Sequence, residues 1–144
     1  MENKNISNIE SSNFSIQLDV KSRIFTFRNK QVMIDRDLAE LYGVETKRLN
    51  EQVKRNIDRF PDEFRFQLTE NEKNELVANC DRFHNLKHST VNPYAFTEQG
   101  VAMLSAVLNS KIAINTSIKI MNAFVEMRSF LIQNAQIFQR LESL

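Results

Sequence analysis

Glycine and proline are scarce in this chain, two of each in 144 residues, and tryptophan is absent. So few turn formers exclude a loop-rich all-β fold, whose hairpins depend on them. The single cysteine, Cys80, excludes an internal disulfide framework and fits a reducing compartment. No apolar run reaches the ~20 residues of a membrane span, and the first residues lack the apolar stretch of a signal peptide. A cytoplasmic location without a membrane partner is therefore expected. Net charge is only +1, so no global basic excess marks a polyanion binder. P-loop, GxSxG and HExxH patterns are all missing, and no carboxylate spacing demands acid–base chemistry. No enzyme, catalytic residue or cofactor is expected.

What is present is an apolar content of 42%, ordinary for a soluble domain. A chain of this length buries about two-thirds of its unfolded surface, enough to hold without a staple. Residues 1–18, rich in Asn, Ser and Ile, read as a flexible tail. A domain over 19–131 and a helical extension over 132–144 follow. Runs at 23–27 and 31–34 are β-prone, and Arg28, Asn29 and Lys30 between them read as a hairpin connection. Phe64, Phe66 and Leu68 alternate with Arg65 and Gln67, a half-buried strand. Thr69 and Glu72 have capping-box spacing, which predicts a short helix to about Asn79. Residues 80–92 read as polar and irregular, and Pro93 to Phe96 as a strand. Thr97 is placed to cap a helix through Val101, Leu104 and Leu108, in which Gly100 points to close backbone packing. The fold class is α+β: a small hairpin and sheet, a helix-turn-helix-like pair and a long C-terminal helix.

The helix pair carries the strongest functional signal. Asp35 stands where an N-cap would open a helix over Arg36 to Tyr42, and Gly43 can take the left-handed conformation that ends it. Small Ala39 suits a close helix crossing, and Leu38, Tyr42, Val44, Leu49 and Val53 can close a core between the two. The second helix starts at Glu45 or Thr46 and stops at Pro61. Leu49, Val53, Ile57 and Phe60 recur on one face, leaving Lys47, Arg48, Glu51, Lys54, Arg55 and Asp58 opposite. Between Asp19 and Phe60 ten Lys/Arg stand against seven Asp/Glu, so the basic excess is local. A helix pair joined by a tight glycine turn can present its second helix to a DNA groove. Lys47, Arg48, Lys54, Arg55 and Arg59 are then candidate phosphate contacts, with Asn50 and Arg48 candidates for base edges. The hairpin cations Lys21, Arg23, Arg28 and Lys30, and Arg65 on its strand, could grip flanking phosphates. The bland alternative is a solvated face laced by i,i+4 pairs: Lys47–Glu51, Glu51–Arg55 and Lys54–Asp58.

Two further patterns stand apart. Cys80, His84 and His88 are spaced for one side of a helix, a set zinc accepts. The stretch reads as a loop and offers no fourth ligand beyond Asp81, so no metal is expected. Ile120, Phe124, Met127, Leu131, Asn134, Phe138 and Leu141 follow alternating four- and three-residue steps, a coiled-coil seam with one polar layer. It makes a homodimer through the C-terminal helix a second partner expectation, besides double-stranded DNA.

The blocks RIFTFRNKQVMIDRDLAELYGVETKRLNEQVKRNIDRFPDEFRFQLT (23–69), PYAFTEQGVAMLSAVLNS (93–110) and IKIMNAFVEMRSFL (118–131) carry a family likeness. The chain resembles the phage ORF-six N-terminal domain family, relatives of the KilA-N DNA-binding domains. The resemblance implies a small α+β domain that binds DNA, often as the N-terminal module of antirepressor-like or prophage regulatory proteins. It implies nothing for residues 70–92. The expected function is a DNA-binding module acting through helix 46–60. The alternative is an interaction or oligomerisation module acting through the C-terminal helix.

Overall fold

The computed structural model describes residues 19–142; the tail expected over 1–18 lies outside them. Strands β1 (Phe25–Phe27) and β2 (Lys30–Ile34) pair antiparallel, with Phe25 opposite Val32. Arg28 and Asn29 join them with φ of 56° and 61°, the positive values that a two-residue type I′ turn needs. Strands β3 (Arg65–Gln67) and β4 (Tyr94–Thr97) complete an antiparallel sheet in the order β1-β2-β4-β3.

Alternation along the strands divides the sheet between two cores. Met33 and its cross-strand neighbour Phe96 face the first, closed by α1 (Asp35–Tyr42), α2 (Thr46–Arg55), α4 (Glu98–Leu108) and α5 (Lys111–Glu142). Val32, Ile34 and Ala95 face the second, closed by α3 (Glu70–Asn79) and the 3₁₀ turns Asp81–His88. The α+β class stands. Within the stretch 80–92 read as irregular and polar, Asp81–His88 are 3₁₀ turns, while 89–92 are irregular. Phe83 and Leu86 are buried in the second core, and Phe83 meets the Phe25 ring edge-on at 5.9 Å. Positions three apart eclipse in a 3₁₀ turn, so two apolar residues suffice to dock the segment.

The caps read from the sequence recur in space. Thr69 Oγ1 accepts from the Glu72 amide while Glu72 accepts from the Thr69 amide, which opens α3. Thr97 Oγ1 accepts from the Gly100 amide and opens α4. A Cβ at Gly100 would stand 2.0 Å from the Phe64 carbonyl oxygen, so only glycine lets α4 approach the chain entering β3. Gly43 closes α1 with φ 69°, the Gly43 and Val44 amides donating to the Glu40 and Ala39 carbonyls. That is the Schellman geometry.

Three expectations near the helix pair fail. Asp35 is not an N-cap: it is the first residue of α1, whose cap position Ile34 makes no side-chain capping bond. Val44 is exposed, because the position after a left-handed residue leaves the helix axis. The second helix does not run to Phe60. It ends at Arg55, Asn56 leaves helical geometry (φ −120°, ψ 33°), and a 3₁₀ turn covers Ile57–Arg59. Ile57 is thereby turned to solvent at 51% exposure while Phe60 swings into the core against Phe96, ring edge to face. Burying a phenyl ring outweighs keeping one more helical turn.

Charge is also drawn inside. Asp37, 2% exposed, accepts from Arg23 Nη1 at 2.9 Å and from Arg82 Nε and Nη2 at 3.0 and 2.8 Å. One carboxylate thus ties the segment before β1, helix α1 and the 3₁₀ turns together. Burial opposes the Arg23 charge, but Glu40, Asp37 and Asp19 outweigh it and raise the guanidinium above its ordinary value. The Tyr42 hydroxyl meets Ser117 Oγ at 2.6 Å and pins α1 to α5; burial pushes the phenol up to about 12.

Candidate nucleic-acid interface

Helix α2 is anchored from beneath. Leu49 and Val53, one turn apart, are fully buried in the first core. A polar tether acts beside them. Asn50 Nδ2 donates to Asp35 Oδ2 at 2.9 Å, and Asp35 Oδ1 accepts from the Arg36 amide at 2.9 Å. Asp35 is buried, and that burial raises its carboxyl above the ordinary value against the hydrogen bonds from Asn50 and the Tyr94 and Arg36 backbone. The tether fixes the rotation of α2 about its axis relative to α1 and β4.

With the underside fixed, the outer face is set. Lys47, Arg48, Lys54 and Arg55 are exposed on α2, and Arg59 is exposed on the 3₁₀ turn that follows. Among the described residues none of the five closes a hydrogen bond or ion pair, and the i,i+4 pairs Lys47–Glu51, Glu51–Arg55 and Lys54–Asp58 are open. By contrast, Arg23 and Arg28 of the hairpin region are engaged by Asp37, Glu40 and Glu72. Four unpaired cations on α2 and a fifth on the turn after it form a surface that a polyanion can neutralise.

A groove of about 670 Å³ runs beside α2, with Lys47, Asn50 and Lys54 on one wall and Arg65, Val91 and Tyr94 on the other. The Arg65 guanidinium lies 3.6 Å above the Tyr94 ring, and burial lowers its pKa despite that partner. Arg65 is thus a half-buried cation at the margin of the basic face. The alternation separated it from Phe66, but its place opposite Phe96 on the side of the first core was not legible; nor was the groove, whose second wall joins β3 to the 3₁₀ segment and the residues after it.

The remaining candidates do not gather here. Asn50 lines the groove but spends its Nδ2 on Asp35 rather than presenting it outward. Arg28 is clamped by Glu72 through Nε and Nη2 at 3.1 and 2.9 Å and lies over the Phe66 ring, in the sheet layer away from α2. Lys30 lines a different groove, with Gln99 and Leu131. Arg23 is buried on Asp37, and Lys21 pairs with Glu126. His84 and His88 are exposed, Cys80 is half-buried, and among the described residues no His, Cys, Asp and Glu side chains gather into a metal-ligand set.

The fold is thus a small α+β domain that holds a helix pair on a four-stranded sheet, with a basic outer face on the second helix. The family is specific: the model described as ORF6N domain matches residues 22–107, more than half of the chain, and the chain belongs to this phage-associated family. The match runs through residues 70–92, which the resembling blocks left out, and stops before α5. No curated protein and no solved structure matches the chain. No helix among the described residues is long and apolar enough to cross a membrane.

Proposed function

We propose that this chain is the DNA-binding module of a phage or prophage-type regulatory, antirepressor-like protein, and not an enzyme. It lays α2 and the turn through Arg59 against duplex DNA. The observation that carries the reading is the set of five exposed, unpaired cations, four on a helix whose rotation is fixed by Leu49, Val53 and the Asp35–Asn50 tether and the fifth, Arg59, on the turn after it. Lys47, Arg48, Lys54, Arg55 and Arg59 serve as phosphate contacts, and Arg65 lies where the strand edge would pass.

The test is titration of labelled duplex at several salt concentrations. Each neutralised phosphate contributes about −0.9 to the log–log slope, so five contacts give a slope of about −4.5. Lys54→Glu with Arg55→Glu should remove most binding and flatten the slope by about 1.8, with helical circular dichroism unchanged. Binding equal to the parent, or affinity that ignores salt, would refute the assignment. A second reading, an interaction module acting through α5, has one observation in its favour: the apolar stripe that this helix exposes beyond the domain.

A further inference from the structure

Helix α5 serves two different environments along its length. Ala113, Ser117, Ile120, Ala123 and Phe124 are buried against the domain, and Phe124 is the last such position. The helix then continues to Glu142, roughly 27 Å further at 1.5 Å per residue. Over that length Phe130, Leu131, Ile137, Phe138 and Leu141 are 43 to 65% exposed. At 100° per residue these five and Asn134 fall within roughly 120° of the helix surface. The opposite side carries Ser129, Gln133, Gln136 and Gln139, with Ile132 its one large apolar residue over that stretch.

We propose that this stripe is the contact surface for a second copy of the chain, the two α5 helices pairing along Phe130 to Leu141. Three observations choose that occupant. The first is charge: from Ser129 to Leu141 only Arg140 is charged, and it falls outside the stripe, so two copies meet without like charges in the seam. An anionic lipid surface or an acidic partner would find no basic face to hold it. The second is self-complementarity at the one polar seam position. The Asn134 amide both donates and accepts, so it can satisfy its own equivalent in the other copy, as a lone carboxylate or ammonium could not. The third is area. With side chains of about 150–250 Å², the five apolar residues leave roughly 500 Å² open in each copy. A pair then covers on the order of 1,000 Å², the lower bound for a specific interface. The inference names the partner for the α5 reading and is independent of DNA contact by α2.

Sedimentation of the full chain at micromolar concentration tests it. The parent should run as a dimer. Leu131→Glu with Phe138→Glu should run as a monomer, the dissociation constant rising at least about 100-fold. Helical circular dichroism and domain melting should be unchanged, because neither side chain contributes to the domain's own core. A monomeric parent, a variant that stays dimeric, or a trimer or tetramer would overturn the proposal. Flotation of the parent with neutral phosphatidylcholine vesicles would overturn it in favour of a lipid surface. Loss of DNA binding in Lys54→Glu with Arg55→Glu, alongside an intact dimer, separates the two readings.

Discussion

Removing the Asp37 carboxylate should do more harm than removing the whole ionic cluster. In Asp37→Ala, two guanidinium groups that share one buried acceptor would face each other with nothing between them. Breaking one side of a buried pair costs about 3–5 kcal/mol, since it strands an uncompensated charge. Arg82 is one-third exposed and Arg23 keeps Glu40 and Asp19, which places the loss near the lower end, about 3 kcal/mol. For a domain of this size each kcal/mol moves the melting temperature by about 4 °C, so a fall of about 12 °C is expected. The triple replacement Arg23→Met, Asp37→Leu and Arg82→Met should instead lie within about 1 kcal/mol of the parent or above it, because desolvation of three charges disappears with their attraction. Thermal unfolding followed by circular dichroism and calorimetry measures both. A cycle of Asp37→Ala with Arg82→Ala should show a coupling of at least about 1 kcal/mol. A loss below about 1 kcal/mol for Asp37→Ala, additive with that of Arg82→Ala, would refute the picture of a shared buried acceptor.

The two glycines should differ in kind. Gly100→Ala drives a methyl group into the Phe64 carbonyl and should cost about 3 kcal/mol in urea unfolding, whereas Gly43→Ala meets no atom within 4 Å and should cost only the left-handed backbone penalty of about 1 kcal/mol; equal losses would contradict the packing argument. On the acid side, Arg23 holds Glu40 and Arg28 holds Glu72 below the ordinary glutamate value. Their contributions are therefore complete above the ordinary 4.5 and fade as pH falls through the depressed folded values. Asp35 has the opposite sign: raised by burial, its contribution is complete below the ordinary 3.8 and fades as pH rises through the folded value. Urea midpoints against pH should show Glu40→Gln and Glu72→Gln flattening the acid limb and Asp35→Asn steepening it, and a shared sign would sink the assignment.

Some of this protein was settled by neighbours in the chain. The Thr69–Glu72 box, the glycine end of α1, and the alternation that sends Val32 and Ile34 one way and Met33 the other all depend on residues within a few positions. Short-range sterics and periodicity express those directly. The basic outer face of α2 was legible for the same reason, since 3.6-residue periodicity separates polar from apolar sides. Periodicity cannot say which charges find a partner across the fold. Arg23 and Asp37 lie 14 residues apart, Asp37 and Arg82 lie 45, and Arg28 reaches Glu72 over 44. Only the closed sheet brought them together, engaging Arg23 and Arg28 while the α2 cations stay unpaired. Tertiary contact likewise ended α2 at Arg55, because the core took the Phe60 ring, and turned Asn50 inward, because a buried carboxylate lay beneath it.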